Sequence, residues 1–562
     1  MLTDDSLEFA KRHIQSFYDT DFYPKPFEFL ALWHSWDGVK NFLLNTPLDQ
    51  IHTAQPCTVP WAKAKGGYRV VHQLEPLDAI VYTALVYLAA NDIERVRMDH
   101  SVACSYRIEP DRQSFFAKGS GFPSYRNSCE QLSEEYEFVL TTDVSDFYNQ
   151  IYLHRVGNIV ESVSSPRLGK EIEQFLSRLN NKASQGIPIG PAASIVLAEA
   201  IMIDVDQFIS NHHVPHARYV DDIRVFSDSK DELVQVLENL VIYLHEHHRL
   251  GLASEKTRII ETSTFLKEEL QNQYQFEKLE ILSDIEVGNQ YGVYQGDEED
   301  YETVEDTELG DVQEETEETE ETEETEEWGE SDSSEEELGD EDDTESEPDF
   351  RSLDEKLLDA LLRAKDFGYV DLAVLRAIIR RAKIAKTPVL AQVLIEDLEF
   401  FAPIVNDVSL YLASLDLEDV SNLVPHLVAA YERGDFCRRS IKMWMEWLIT
   451  RNDVTLKDKK LRKFALTGTP QFAANAAMLL KNMAWAKESK TKILTSATWN
   501  RRAYIHSLVL LSKDERSKYI SLINKNTSLT QTERWVCSWV KEGCPDPVPE
   551  EEDPFGEWDD VI

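Results

Sequence analysis

The 562-residue sequence predicts two structured parts of different fold class, separated by a strongly acidic segment. Residues 1–296 mix strand-like and helix-like hydrophobic patterns with scattered Gly and Pro, which is typical of an α+β protein. Residues 350–545 contain a succession of amphipathic helices of about ten to fifteen residues with short joints. This second pattern indicates an all-α bundle or a helical-repeat-like domain.

The acidity of the chain is concentrated in two segments. The net charge is −46, from 57 basic and 103 acidic residues. Residues 297–349 contain 31 Asp or Glu and no Lys or Arg, and the tail 546–562 contains eight more acids. These two segments account for all but seven of the net negative charges. Because dense like charge with few apolar residues opposes folding, we predict that 297–349 is a disordered linker. Because the remainder is nearly neutral, the acidity of the chain does not exclude a nucleic-acid ligand.

Several classes of protein are disfavoured by composition. No apolar run approaches the roughly 18 residues that a membrane helix requires, so no membrane partner is expected. The acidic N-terminus lacks the apolar core of a signal peptide. The six cysteines have no CxxC spacing and are too sparse for a disulfide framework. A cytoplasmic location without structural zinc is the simplest interpretation.

Two acidic motifs carry the predicted chemistry. In the first, an apolar strand beginning at Phe138 ends at Asp143, and Asp146 is expected to cap the following turn. In the second, Asp221 and Asp222 interrupt apolar, strand-like flanks. Adjacent strand residues point to opposite faces, so both acids can reach one centre only at a tight hairpin. Buried carboxylates need compensation, which metal ions supply, and the pattern therefore indicates two-metal nucleotidyl transfer.

Further motifs occur in a fixed order around these acids. They are Lys65-Gly-Gly-Tyr-Arg69, Ser184-Gln185-Gly186-Ile-Pro-Ile-Gly190-Pro191, Tyr219-Val-Asp-Asp222 and Leu250-Gly-Leu-Ala-Ser-Glu-Lys256. With Asp143, this series resembles the palm of reverse transcriptases over roughly residues 50–265. The resemblance implies a right-hand polymerase fold with fingers and palm. It also implies two Mg²⁺ ions, with Mn²⁺ as an alternative.

The same resemblance assigns roles to individual residues. The catalytic residues are Asp143, Asp221 and Asp222, and the same three aspartates with the Val144 carbonyl bind metal. The nucleotide-binding residues are Lys65, Arg69, Tyr148, Gln185, Gly186 and Lys256. Tyr148 corresponds to an aromatic steric gate whose ring would clash with a ribose 2′-hydroxyl, which favours dNTPs over NTPs.

Within that family, the sequence most resembles bacterial abortive-infection and defence-associated reverse transcriptases. The resemblance is carried by Gly186-Ile-Pro-Ile-Gly-Pro-Ala, by Tyr219-Val-Asp-Asp-Ile-Arg-Val-Phe226 and by a helical C-terminal half in place of a nuclease. It implies a role in antiphage defence and assembly as a homo-oligomer. The implied domains are an N-terminal helical extension (1–50), fingers, palm and the start of the thumb (51–296), the acidic linker (297–349), the helical domain (350–545) and the acidic tail (546–562).

The predicted function is DNA synthesis from dNTPs, with an RNA template or without any template, and with single-stranded DNA as the product. One alternative is a protein-primed polymerase that uses the same triad. A second is an oligomeric sensor or scaffold whose palm is catalytically silent. Arg501 and His506 match the Arg-x4-His spacing of a helical RNase superfamily, but the pattern is short, and a helix whose arginines are solvated and whose Tyr504 and Ile505 pack is the simpler interpretation. Template, primer, oligomer number, phage trigger and the role of the linker stay open.

Overall fold

The structure is a computed structural model. It describes residues 2–17, 22–110, 114–117, 121–270, 278, 281–282, 285, 351–367, 370–525 and 528–546. The predicted acidic linker lies outside the described residues, as does the acidic tail beyond Asp546.

The N-terminal part begins with helices and continues into an α+β region. Its elements are α1 (Asp4–Phe17), α2 (Glu28–His34), α3 (Trp36–Asn45), β1 (Cys57–Ala62), β2 (Tyr68–Gln73), α4 (Pro76–Val96), α5 (Phe122–Glu135), β3 (Phe138–Asp143), α6 (Phe147–Gln150), α7 (Leu153–Val163), α8 (Pro166–Leu179), α9 (Ala192–Ser210), β4 (His216–Tyr219), β5 (Asp222–Ser227), α10 (Lys230–Tyr243), β6 (Arg258–Glu261) and α11 (Thr262–Phe265). The predicted strand ending at Asp143 and the predicted hairpin at Asp221 are both present.

A four-stranded antiparallel sheet forms the centre of this part, with strand order β4-β5-β3-β6. Its central strand β3 buries Val139 and Leu140 completely, which explains its uninterrupted apolar pattern. Behind the sheet, α4 and α9 are almost wholly apolar and pack against each other, and the hydroxyls of Tyr82 and Ser194 lie 2.9 Å apart between them. The pairing register places Asp143 directly opposite Asp222, so one end of the sheet carries the acidic motifs.

Strands β1 and β2 form a separate antiparallel hairpin, the fingers hairpin, with Ala62 paired to Tyr68 next to the turn. Within the turn, Gly66 and Gly67 adopt φ values of +94° and +83°. Only glycine adopts this conformation without a steric penalty, and a Cβ atom at either position would meet open space. The turn is therefore tight and exposed.

The C-terminal part is wholly helical within the described residues. Its helices are α12 (Leu353–Asp366), α13 (Leu372–Ala385), α14 (Ala391–Glu396), α15 (Val405–Ser414), α16 (Leu417–Arg433), α17 (Arg439–Ile449), α18 (Lys459–Leu466), α19 (Pro470–Leu479), α20 (Met483–Ser489), α21 (Thr498–His506), α22 (Lys513–Ile523) and α23 (Gln531–Glu542). With the sheet described above, this confirms the predicted fold class: an α+β fingers-and-palm architecture followed by an all-α region.

Sequence patterns placed some of these helices incorrectly. The apolar run 471–487 suggests one helix, but α19 and α20 are separate because Lys481 has φ +50° and the Asn482 side chain caps α20. Helix α23 is not apparent from hydrophobic spacing alone. Its start is nevertheless encoded by a capping box, in which Thr530 and Glu533 bond reciprocally to each other's backbone amides.

The fingers hairpin shares a hydrophobic core with the helical part. Trp61 and Val71, on opposite strands of the hairpin, are buried in the same apolar cluster as the residues of α13 to α17. The Trp61 indole donates a hydrogen bond to the Pro403 carbonyl at 2.9 Å, and the Trp444 indole donates to the Phe22 carbonyl at 3.1 Å. The two parts that the sequence separates are thus packed together through the hairpin.

Helices α7 and α8 cross at a close backbone contact that requires glycine. A Cβ atom on Gly169 would lie 2.4 Å from the Gly157 carbonyl oxygen. We therefore expect Gly169→Ala to lower the free energy of unfolding by about 1–3 kcal/mol, measured by urea denaturation. Gly38→Ala is the control: its Cβ would meet only the Trp535 indole nitrogen at 3.8 Å. Because Gly38 lies inside α3, this control should raise stability by about 1 kcal/mol. An unchanged Gly169→Ala midpoint would contradict the prediction.

Candidate active site

Asp143 lies at the end of the central strand and is held there by the loop 250–256. Its backbone carbonyl accepts a hydrogen bond from the Ala253 amide at 2.8 Å, and the Ser145 amide donates to the Gly251 carbonyl at 2.9 Å. Lys256 Nζ lies 3.2 Å from Asp143 Oδ2 and its side chain is 52% exposed. In this structure the lysine that the resemblance assigns to the nucleotide therefore pairs with a candidate metal-binding carboxylate.

The hairpin between β4 and β5 has a two-residue turn, Val220 and Asp221. Val220 has φ +52°, which is rare and strained for a β-branched residue and is typical of functional sites. The strained residue is fixed from two sides. Its amide donates to Ser105 Oγ at 3.0 Å, and its carbonyl accepts from Arg218 Nη1 at 2.7 Å. Adjacent residues of a strand point to opposite faces. Because Asp221 lies in the turn and Asp222 begins β5, the turn allows both acids to lie at the site.

A buried ion network lies beneath this turn. The Arg218 guanidinium, completely buried, donates to Glu199 Oε2 at 3.0 Å and to Asp206 Oδ1 at 2.8 Å. Glu199 also accepts from Arg97 at 2.7 Å and from Ser105 at 2.5 Å. Although burial opposes it, Arg218 holds the pKa of Asp206 at about 2. This network ties α9 and α4 to the strained hairpin.

This buried ion network was not predicted from the sequence. The available signal was the presence of Glu199 and Asp206 in α9, which is otherwise almost entirely apolar and buried. Acids in such a helix require buried partners, because an uncompensated charge in the core is costly. The buried strand β4 contains the matching basic residue, Arg218.

The carboxylates at the site repel one another. Burial, together with the charges of Asp143 and Asp222, raises the pKa of Asp221 to about 7. Burial also raises the pKa of Asp143, an effect opposed by Lys256 and increased by Asp222. Excess negative charge on hard oxygen donors is the environment that Mg²⁺ and similar divalent cations stabilise. The chemistry of this donor set therefore fits a divalent metal.

Asp222 is engaged by its own neighbours. Its Oδ1 forms a short ion pair with Arg224 Nη1, and its Oδ2 accepts from the Tyr125 hydroxyl at 3.4 Å. In the part of the chain that the structure describes, no three acidic, histidine or cysteine side chains converge closely enough to hold a metal ion as they stand. Two of the three aspartates are instead paired with side-chain cations.

Val144 and Asp146 follow Asp143 directly. The Val144 amide donates to the Asp221 carbonyl at 3.2 Å, so the backbone at Val144 adjoins the turn. Asp146 has φ +50° and precedes α6, but its carboxylate does not cap the helix backbone. It accepts instead from the Asn149 side-chain amide at 2.6 Å. The prediction that Asp146 caps the following turn is therefore wrong, because its carboxylate accepts a hydrogen bond from the Asn149 side chain and not from a backbone amide of the helix.

Tyr148 and Phe147 have different environments although they are adjacent. The Phe147 ring is buried in the palm core, whereas Tyr148 is only partly buried at its edge. Burial raises the pKa of Tyr148 well above its ordinary value, and the nearby charge of Asp221 adds to the effect. Tyr148 therefore lies on the side of the carboxylates. Because Phe147 is buried and Tyr148 is only partly so, Tyr148 stays the predicted steric gate.

The loop containing Gln185 and Gly186 runs beside the Tyr148 segment. The Gly186 amide donates to the Ile151 carbonyl at 2.8 Å, and the Ile187 amide donates to the Tyr148 carbonyl at 2.9 Å. Gly186 has φ +90°, and a Cβ there would lie 3.3 Å from the Asn149 carbonyl oxygen. The structure thus brings Gln185, Gly186 and Tyr148 together.

The opposite side of the same loop contacts the fingers hairpin. The Ile189 amide donates to His72 Nδ1 at 3.1 Å, and the His72 amide donates to the Ile189 carbonyl at 2.9 Å. Burial lowers the pKa of His72, which favours the neutral ring that accepts this bond. Lys65 lies in the exposed turn of the hairpin, and Arg69 is half-buried on β2 opposite Trp61. Their contact with a nucleotide stays a prediction.

The possible nuclease pair lies in the protein interior. Arg501 binds Glu533 at 3.2 Å and the Ile493 carbonyl at 3.0 Å. The His506 ring stacks on Phe27 with ring centroids 4.2 Å apart and is only 9% exposed. Both side chains therefore have structural roles, and the geometry does not favour a second nuclease site. The alternative of a helix with solvated arginines is also wrong, because Arg502 is completely buried.

The burial of His506 predicts acid sensitivity. Burial lowers the pKa of His506 to about 4, whereas the unfolded chain binds the proton near pH 6.5. Between these values the unfolded state binds more protons, so stability falls as the pH is lowered from 7 to 4, by about 3 kcal/mol from this group. His506→Phe should show a correspondingly smaller loss, measured by urea denaturation at pH 7 and pH 5. His100→Gln, at a side chain that is 71% exposed, should not change the pH dependence. Equal losses in His506→Phe and the unaltered protein would contradict the prediction.

Comparison with known proteins agrees with this geometry. Residues 62–279 match the family model described as reverse transcriptase (RNA-dependent DNA polymerase). No curated protein matches the chain in sequence. Among solved structures, similarity is found to an apo telomerase from Candida tropicalis truncated from its C-terminal domain, with 12% identity, TM-score 0.28, and coverage of 41% of this chain and 55% of that one.

Two further telomerase structures are similar over more of the chain. For the Candida albicans telomerase in complex with a fragment of telomeric RNA, identity is 11% and the TM-score 0.29, covering 75% of this chain and 69% of that one. For a second apo telomerase from Candida tropicalis, identity is 9% and the TM-score 0.29, covering 74% and 72%. The chain thus spans little more than half of the first of these structures and about 70% of the other two.

The family match and the sheet geometry define the class of the α+β part. Residues 62–279 match a reverse transcriptase domain, whose enzyme class is RNA-dependent DNA polymerase. The matched range contains all three candidate aspartates and each of the predicted nucleotide-binding residues.

Proposed function

We propose that this chain is a DNA polymerase that adds dNTPs by two-metal nucleotidyl transfer, directed by an RNA template or working without one. The observation that carries the proposal is the grouping of Asp143, Asp221 and Asp222 at one end of the palm sheet of a reverse transcriptase domain. In the proposed reaction, a 3′-hydroxyl, or a protein hydroxyl at initiation, attacks the α-phosphate of a dNTP. A new phosphodiester bond forms and pyrophosphate leaves.

The three aspartates and the Val144 carbonyl would hold two Mg²⁺ ions, or Mn²⁺. When bound, such ions lower the pKa of the attacking hydroxyl and stabilise charge on the leaving pyrophosphate. The raised pKa values of Asp221 and Asp143 support this assignment, because burial and the neighbouring aspartates disfavour the charged carboxylates and a bound cation would stabilise them.

The remaining site residues would bind and orient the nucleotide. Lys256, 52% exposed and close to Asp143, can turn from that carboxylate to a phosphate. Arg69 and Lys65 of the fingers hairpin would neutralise the triphosphate. Arg69 would do so through bidentate, charge-assisted hydrogen bonds to phosphate oxygens. Gln185 and Gly186 would position the nascent base pair, since their loop is bonded both to the Tyr148 segment and to β2.

Tyr148 would select the sugar by steric exclusion of a 2′-hydroxyl. We expect Tyr148→Ala to increase incorporation of NTPs relative to dNTPs by about 100-fold, because exclusion of one small group in a packed pocket is worth about 2–3 kcal/mol. The comparison is the ratio of kcat/KM for dGTP and GTP. Tyr148→Phe retains the ring and should retain the preference. If Tyr148→Ala discriminates as strongly as the unaltered protein, the gate is another residue.

The biological setting that we propose is antiphage defence by abortive infection, in a cytoplasmic homo-oligomer. This part of the proposal rests on the resemblance to defence-associated reverse transcriptases. All six cysteines are free thiols, which is compatible with a reducing compartment. Among the helices that the structure describes, none is both long enough and apolar enough to cross a membrane.

The function is tested by incubating the purified full-length protein with Mg²⁺ and each labelled dNTP or NTP, with and without an RNA template and DNA primer. An Asp221→Ala, Asp222→Ala double variant serves as the control. Products are divided between protease and nuclease treatment before denaturing electrophoresis. Signal only with template and primer, lost in the variant, supports RNA-directed synthesis. Protease-sensitive signal from dNTPs alone supports template-independent, protein-primed synthesis. Equal signal from the double variant, or none in any lane, would overturn the proposal in favour of a catalytically silent scaffold.

A further inference from the structure

We propose that Arg224 is an internal counterion that occupies Asp222 and competes with the metal ion for it, and that Glu269, which Arg224 already contacts, retains Arg224 when Asp222 is released. The inference rests on the proposed function, because it takes Asp222 as a metal ligand. It adds a regulatory residue to the site and links metal binding to the segment that follows the palm sheet.

The contacts of Asp222 leave no oxygen atom fully available. Oδ1 is in a short ion pair with Arg224 Nη1, and Oδ2 accepts from the Tyr125 hydroxyl at 3.4 Å. Asp222 and Arg224 are two residues apart on β5, and side chains with this spacing project from the same face of a strand. The pairing is therefore built into the strand. It occupies a ligand position with a positive charge that would repel a metal ion.

Arg224 is also held by the segment 262–270. Its Nη2 lies 3.2 Å from Glu269 Oε2, and its guanidinium lies 5.8 Å from the centroid of the Phe265 ring. Glu269 in turn binds Arg258 at 2.6 Å. The Arg224 side chain is only 12% exposed, so it cannot move into solvent when it leaves Asp222. Glu269 offers it a carboxylate without a large movement.

Lys256 provides a useful contrast. It also pairs with a candidate ligand, Asp143, but its side chain is 52% exposed and it can follow a phosphate into the open site. Arg224, in contrast, is largely buried and contacts Glu269 and Phe265 in addition to Asp222. Its charge therefore acts on metal binding whether or not a nucleotide is present. The balance of Arg224 between Asp222 and Glu269 would set how readily Asp222 is released.

Arg224→Gln removes the charge but retains hydrogen-bonding groups, and Arg224→Lys retains the charge. We measure the stabilisation of the full-length protein against heat as a function of MgCl₂, without nucleotide or nucleic acid. This readout is preferable to the heat of binding, because carboxylates outside the site, including the many acids of 297–349, would add heats of their own. The site-specific part is the shift in melting temperature that is absent in the Asp221→Ala, Asp222→Ala variant.

We expect Arg224→Gln to lower the half-saturating Mg²⁺ concentration on the order of tenfold, because it removes one positive charge beside the site. Arg224→Lys should resemble the unaltered protein. Glu269→Gln removes the second carboxylate that holds Arg224, so Arg224 should stay with Asp222 and the half-saturating concentration should rise severalfold. A higher or unchanged value in Arg224→Gln, with its melting temperature without Mg²⁺ retained, would overturn the proposal and make Arg224 a simple support for Asp222.

If Arg224→Gln does not fold, Glu269→Gln provides the test. An unchanged half-saturating Mg²⁺ concentration in Glu269→Gln would also overturn the proposal. Failure of the proposed function has a different signature. There, the unaltered protein and the Asp221→Ala, Asp222→Ala variant would show the same response to MgCl₂, and the counterion proposal would fall with it.

Discussion

Replacing Asp143 by Asn is expected to slow nucleotide incorporation by about 10³-fold, equivalent to about 4 kcal/mol of transition-state stabilisation. Asp143 ends the central strand β3, opposite Asp222, so the sheet fixes its backbone position at the acidic end of the palm. The substitution retains shape but removes the negative charge that a metal ion requires. The measurement is the single-turnover rate of dNTP addition to a primer at saturating Mg²⁺.

The stability of the same variant separates a catalytic loss from a folding defect. Burial raises the pKa of Asp143, so the charged form is less favourable in the folded protein than in water. Asp143→Asn should therefore melt no lower than the unaltered protein at pH 8. Asp146→Asn is the matched control, because Asp146 is exposed and its carboxylate accepts from the Asn149 side-chain amide at 2.6 Å. Its rate should stay within about threefold. An Asp143→Asn rate within tenfold of the unaltered protein would exclude Asp143 from the metal site.

The aspartates could be located from sequence because their positions depend on local rules. An apolar run ending in Asp143 predicts a strand end, and two acids between strand-like flanks predict a hairpin. The structure has both elements, and their register places Asp143 opposite Asp222. What the sequence pattern does not reveal is the rotation of the side chains. Asp222 turns to Arg224 and Asp143 to Lys256, and both choices depend on the complete charge distribution around the site.

The support of the hairpin could not be predicted because it is assembled from distant segments. Arg97 and Glu199, 102 residues apart, meet beneath the turn with Arg218 and Ser105. Hydrophobic periodicity describes one element at a time and contains no information on which buried acid faces which buried base. The strained φ of Val220 is equally invisible in sequence, since valine ordinarily avoids that conformation.

Domain boundaries drawn from composition also obscure how the parts are joined. The charge change at 297–349 separates two parts of different fold class, but composition does not show that the fingers hairpin completes a core of the helical part. Trp61 is the decisive residue: its indole bonds to Pro403, 342 residues away, and its ring is buried among helical residues. Because the hairpin is packed in this way, a movement of the fingers over a nucleotide would involve the helical part as well.

The second link between the two parts is ionic, and it predicts the largest loss of stability. The completely buried Arg502 guanidinium on α21 donates to Glu28 Oε1 at 2.7 Å and to Glu75 Oε1 at 3.2 Å. Glu75 in turn caps α4, with its Oε2 accepting from the Leu77 amide at 2.9 Å. One arginine therefore joins the C-terminal helices to α2 and to the start of α4.

Arg502→Met retains much of the side-chain volume but leaves two buried carboxylates without their cation. We expect it to lower the free energy of unfolding by about 3–5 kcal/mol in urea denaturation at pH 7.5. Adding Glu28→Gln and Glu75→Gln to the same chain should recover a substantial part of the loss, because the uncompensated charges are then gone. Arg95→Met, at a side chain that is 70% exposed, should change stability by less than about 0.5 kcal/mol. A loss below about 1 kcal/mol in Arg502→Met, or no recovery in the triple variant, would mean that apolar packing alone holds the helical part on the polymerase domain.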